Sequence, residues 1–255
     1  MSLPDQCYIC HEEQLEESPF KDPNPCDCKG TIRIHTTCYN ELVATTDKCG
    51  ICKKSWVRNG LITNYWPNGQ KMEERIYVDG LENGLYQSWN ETGQKLVEVN
   101  YVNGKAEGLS QKWYEGGQKL IEVNYVNGKR EGLFQRWHKN GQKAEEVNYV
   151  NGEMEGLYQS WHKNGNKQSE YIYINGKIEG LYQSWHDNGQ KYVEVNYIND
   201  QRNGLYQIWH KNGQKCGEVN YVRGLIHGVS QEWFEDGRKF PDTYYKNGVR
   251  VNRPL

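Results

Sequence analysis

The stretch Glu155–Lys177, EGLYQSWHKNGNKQSEYIYINGK, sets two Asn-Gly pairs, at 164–165 and 175–176, between short segments rich in Tyr, Trp and Ile. Asn-Gly suits turns with positive φ, a conformation that glycine accepts without steric cost. The segments between such turns alternate. In KLVEVNY, residues 95–101, Val97, Val99 and Tyr101 share one face while Glu98 and Asn100 take the other, which is the period of a strand. The unit therefore reads as a two-stranded hairpin. A lone hairpin is marginal in water and needs neighbours to bury it.

The neighbours are supplied by repetition. From Arg58 onward the unit recurs with a period of 24 residues. One glycine column runs from Gly60 to Gly228 and a second from Gly69 to Gly237. A third runs from Gly80 to Gly248, broken only by Asp200. An aromatic column begins at Tyr65 and continues as tryptophan from Trp89 to Trp233, and a tyrosine column runs unbroken from Tyr77 to Tyr245. Eight copies fit. The expected fold over residues 58–255 is an all-β, solenoid-like array of eight 24-residue hairpin repeats. Sixteen strands at ~4.8 Å would make a narrow rod on the order of 75 Å long.

Within the array the tryptophan column is expected to form the packed interior, one large ring per hairpin. His138, His162, His186 and His210 each follow one of those tryptophans. Copies two strands apart lie ~10 Å from each other, too far to share a metal ion, so these read as turn-side surface residues. The lysine column from Lys71 to Lys239 faces a matching acidic one, Glu74 to Glu218 ending in Asp242. That is a solvated charge ladder, and screening over ~8 Å argues against a membrane surface as its partner. Cys216 stands alone and reads as a free thiol.

Charge narrows the function classes. The formal net charge is −2, with 25 basic against 24 acidic side chains in residues 58–255 and six against nine in residues 1–57. Neither part has the basic stripe of a nucleic-acid binder. No apolar run approaches the roughly 20 residues that span a bilayer. The start, MSLPDQCYIC, lacks a basic patch followed by an apolar stretch, so the expected location is cytoplasmic, where thiols stay reduced. No paired carboxylates or nucleophile–histidine arrangement occurs in a supporting context. Any catalysis is of the non-covalent, positioning kind.

Seven of the eight cysteines fall between Cys7 and Cys52. With one histidine they form four close pairs: Cys7 with Cys10, Cys26 with Cys28, His35 with Cys38, and Cys49 with Cys52. Zinc takes four nitrogen or sulfur ligands tetrahedrally, and thiolates two residues apart in a tight turn reach one ion. Four pairs predict two zinc ions. They would stabilise a segment too short for a substantial core.

The ligand order, four cysteines, histidine, three cysteines, with CYICHEE at the start and CKGTI running into His35, resembles the RING-CH (RING-variant) zinc finger of ubiquitin ligases. The resemblance covers residues 1–57 and implies a small α+β finger with interleaved ligation. One zinc would take Cys7, Cys10, His35 and Cys38, and the other Cys26, Cys28, Cys49 and Cys52. It implies a ubiquitin-protein ligase that docks a ubiquitin-charged conjugating enzyme and needs no nucleophile of its own. Ile9 and Leu42 would form the docking surface, and Lys53 would contact ubiquitin. A PHD finger shares the ligand order, but its second pair is wider and a tryptophan precedes its last pair, which TTDKCGIC lacks. The chain departs from the RING-CH pattern in three places. The Cys28–His35 gap is shorter than usual, Leu42 replaces a tryptophan, and no transmembrane helices follow.

Residues 58–255 resemble the MORN-repeat variant, and the pairing of the two parts is similar to proteins of large DNA viruses. The repeats would then recruit the protein substrate. The alternative is a non-catalytic, zinc-stabilised adaptor, which the loss of tryptophan at Leu42 favours.

Overall fold

The computed structural model describes residues 60–252, together with the backbone of two short paired strands, Phe20–Lys21 and Ile34–His35. The repeat array begins with the hairpin of strands Gly60–Tyr65 and Lys71–Val78. It continues, each strand antiparallel to the one before, to Leu225–Glu232, Thr243–Lys246 and a last short strand, Val249–Val251. Eight hairpins result, the second with its first strand split into Leu81–Glu82 and Gly84–Trp89. Among the described residues no register joins the last strand to the first, so the sheet is open.

Two turns alternate along it. In the turn Ile174-Asn-Gly-Lys177 the loop has two residues: Ile174 pairs with Lys177, and Asn175 and Gly176 take φ of 51° and 73°. Both angles are positive, as a tight turn matched to the twist of its strands requires. At the one break in that glycine column Asp200 takes φ 63° after Asn199 at 48°, so the turn survives with aspartate. The other loop, His186–Gln190, is longer. Asn188 Oδ1 accepts the Gln190 amide at 3.0 Å, and the His186 amide donates to the Gln190 carbonyl at 2.8 Å.

The remaining glycine column makes a bulge. Opposite Val147 the partner strand carries three residues, Gly156, Leu157 and Tyr158, before pairing resumes. Gly156 has φ 81° with nothing within 4 Å of where a Cβ would stand, so the glycine answers to backbone conformation and not to crowding. Bulged strands bend and twist. Here they do so over Val147, which has none of its surface exposed.

Alternation then sorts the faces. Gln135 pairs with Glu146 on one face, and Phe134 pairs with Val147 on the other. The deep interior lies on the second face. Val123, Phe134, Val147 and Tyr149 form its buried cluster, with Ile121, Tyr125, Met154, Tyr158 and Tyr173 packed against them. Fully burying a Val or Phe contributes ~1.5–3 kcal/mol, so this face holds the sheet together. The tyrosine column completes it edge-to-face, as in Phe134–Tyr149 at 5.9 Å and Tyr182–Tyr197 at 5.9 Å.

This corrects the expectation that tryptophans form the interior. Trp89 to Trp233 are only partly buried, and Tyr65, first in their column, is 60% exposed. The reason is position: tryptophan ends its strand at the longer loop, two residues beyond the Gln/Glu pairs on their face.

Candidate functional site

Most of the expected finger residues (Cys7, Ile9, Cys10, Cys26, Cys28, Cys38, Leu42, Cys49, Cys52 and Lys53) lie outside the described residues. His35 is described in its backbone alone, at the end of a strand whose partner across is Phe20. The donor set itself fits zinc: seven thiols and one imidazole in four pairs are enough to close two tetrahedral sites without oxygen ligands. Among the described residues no cluster of histidine, cysteine or carboxylate side chains is placed to hold a metal ion. Cys216 is free and partly buried, and burial raises its thiol pKa.

The array's charged columns are brought together as the sequence suggests, and more tightly. One row of alternating Glu and Gln crosses the sheet: Glu122 pairs with Gln135, Gln135 with Glu146, Glu146 with Gln159 and Gln159 with Glu170. In six of the hairpins the glutamine amide donates to the glutamate, as Gln135 Nε2 does to Glu146 Oε2 at 2.6 Å. The lysine three residues earlier reaches the same oxygen, Lys143 Nζ at 2.5 Å. A bulge at the strand end lets residues three apart share this face. The same ammonium sits 5.4 Å from the ring centre of Trp161 in the next repeat. Lysine thus links its own hairpin to the following one, seven times from Lys71–Trp89 to Lys215–Trp233.

These bonds set the carboxyl acidity. The lysine hydrogen bond, then the glutamine bond, lower the pKa of Glu98, Glu122, Glu170, Glu194 and Glu218 from the ordinary value. At Glu146 burial is the largest single cause and acts upward, yet the Lys143 and Gln135 bonds together prevail. The charges of this face are spent on one another.

The histidines prove to be more than surface residues. His138, His162, His186 and His210 each place Nε2 2.8–2.9 Å from the carbonyl oxygen of the tryptophan 23 residues later. Since the carbonyl only accepts, Nε2 carries the proton. At the equivalent places Tyr114 donates its hydroxyl to the Trp137 carbonyl at 2.9 Å, and Trp66 its Nε1 to the Trp89 carbonyl at 3.0 Å. In this column Trp, Tyr and His make one interaction, a long donor stapling successive repeats, whereas Asn90 donates to the Glu115 carbonyl at 3.2 Å and Phe234 has no side-chain donor. Sequence reading missed it because the three residue types share only that donor.

No helix among the described residues is long and apolar enough to cross a membrane. Comparison with known proteins now places both parts. The family described as "RING-variant domain" matches residues 7–53, which contain the whole four-pair donor set. The family described as "MORN repeat variant" matches seven segments, from 58–79 to 202–223; the eighth copy read from the sequence is a hairpin in the structure as well. A curated human (Homo sapiens) protein, E3 ubiquitin-protein ligase MARCHF1, is 39% identical over 59 residues, which is 22% of this chain. The chain spans only 20% of that relative's length. The chain belongs to the MORN-repeat-variant family and carries a RING-variant domain at the head of its repeat array.

Proposed function

We propose that the chain is a RING-CH-type ubiquitin-protein ligase, in which the finger docks a ubiquitin-charged conjugating enzyme and the repeats recruit the protein that receives ubiquitin. The observation that carries this is the RING-variant match over residues 7–53, supported by the 39% identity to a named ubiquitin ligase. Cys7, Cys10, His35 and Cys38 would hold one zinc ion, and Cys26, Cys28, Cys49 and Cys52 the other. Bound there, zinc supplies the structural stability that so short a segment cannot gain from apolar burial. Ile9 and Leu42 present the apolar surface for the conjugating enzyme, and Lys53 the cation that meets ubiquitin.

The chain then acts by positioning. The substrate's lysine amine attacks the thioester carbonyl, the C–N bond forms as the C–S bond breaks, and the conjugating enzyme's cysteine leaves as a thiol. Holding both partners in reach makes the attack effectively intramolecular. Leu42, where the family carries tryptophan, favours a second reading, a zinc-stabilised adaptor without activity. Purified chain, activating enzyme, ubiquitin and a wide panel of conjugating enzymes separate the two. The ligase reading predicts chain formation with at least one enzyme, abolished by chelation. Silence of the zinc-loaded chain across the panel would support the adaptor.

A further inference from the structure

On the valine face one cross-strand row lies beside the Gln/Glu row. It runs through Val97, Lys112, Ile121, Arg136 and Glu145 on one side of the middle repeats and through Val193, Ile208 and Gly217 on the other. Between them three successive strands place Ser160, Ser169 and Ser184 in register. All three serines are buried, and Ser160 Oγ lies 2.7 Å from Ser169 Oγ. The next two strands carry Val193 and Ile208 in this row, and small hydroxyls in place of such side chains leave space. The result is a pocket of about 670 Å³ floored by the serines and walled by Tyr158, Tyr182 and Tyr192. Its size is that of a ligand site, and its mixture of rings and converging hydroxyls is the usual lining of one.

One end is charged. Arg136 lines the pocket, and its Nε donates to Glu145 Oε2 at 2.9 Å. Burial first, and then the neighbouring Glu145 carboxylate, raise the Tyr158 hydroxyl's pKa, so ring and carboxylate meet at this end of the pocket. Arg136 makes no other hydrogen bond among the described residues, which leaves Nη1 and Nη2 as a pinned fork. The other lining cation, Lys211, is paired with Asp187 at 3.0 Å. Each cation has a carboxylate beside it, so the pocket presents no field for a polyanion. A single oxyanion taken end-on by a fixed guanidinium is what the arrangement fits.

We propose that this pocket is the array's recognition site for an extended peptide segment bearing one acidic side chain. Its carboxylate or phosphate is received by Arg136, and its flanking residues lie on the serine floor between the tyrosine rings. That the occupant is a protein segment rests on the ligase reading; the acid selectivity rests on the pocket alone.

The test uses the full chain and labelled octapeptide libraries with degenerate flanks and a fixed central Glu, phosphoserine, Gln or Lys. The acidic libraries should be enriched at least tenfold over the Gln and Lys libraries, and whichever acid wins identifies the oxyanion. Arg136→Gln should erase that preference. Ser184→Ile, which installs the side chain that Ile208 carries one repeat later, should abolish capture with an unchanged melting curve. Equal capture of all libraries, no capture at all, or full capture by a folded Ser184→Ile chain would overturn the proposal. No ubiquitin or conjugating enzyme is present, so failure here leaves the ligase reading standing, and a silent ligase leaves the pocket result standing.

Discussion

His138, Tyr114 and Trp66 occupy one column, and each donates a hydrogen bond to a carbonyl of the next repeat. The bond is partly buried, so losing it strands an acceptor. His138→Ala should therefore cost about 1 kcal/mol in denaturant unfolding, above the ~0.5 kcal/mol of an ordinary surface change, while His138→Tyr should cost nothing measurable. Equal effects of the two would remove the staple. The glutamate row gives a pH prediction. Folded pKa values that are lowered contribute stability present above the unfolded carboxylate pKa, about 4.3, and lost as pH falls through the folded values. The array's melting temperature should hold steady from pH 7 to 5 and fall below about pH 4. Replacing glutamates of the row with glutamine should flatten that fall.

At the scale of the hairpin, the two faces carry unequal weight. Phe134 belongs to the buried cluster, whereas Trp137, three residues on, is half-buried under the Lys119 ammonium. Phe134→Ala should cost about 3–5 kcal/mol, as for buried aromatics, and Trp137→Ala only about 2 kcal/mol. The reverse order would restore tryptophan to the interior. The hairpins, their turns and the alternation of Val97, Val99 and Tyr101 were all legible in the sequence, because period and Asn-Gly chemistry are local. Which face closes was not. That depends on the three-against-one bulge at Gly156, a non-local pairing that composition does not announce. The serine pocket left a trace, since Ser160, Ser169 and Ser184 stand where the next two strands carry Val193 and Ile208, yet the row exists only once the register is known.

At the scale of the whole molecule, each hairpin among the described residues pairs only with its neighbours, so the array's stability is a sum of local interfaces. The proposed zinc ligation would, by contrast, tie the finger's stability to its donor set. Elemental analysis should find two zinc ions per chain, and chelation should remove both while leaving the β signal of the array intact. The finger's identity was legible because its four donor pairs crowd into Cys7–Cys52; its docking surface rests on Ile9 and Leu42 by resemblance. The direct test of the account is chain formation by Ile9→Ala beside the wild type, with zinc counted in both. An apolar anchor at the centre of an interface commonly contributes 2 kcal/mol or more, roughly thirtyfold in affinity. The account predicts two zinc ions in each protein and a sharp loss of chain formation in the variant. A variant that keeps its zinc and its full activity would contradict it.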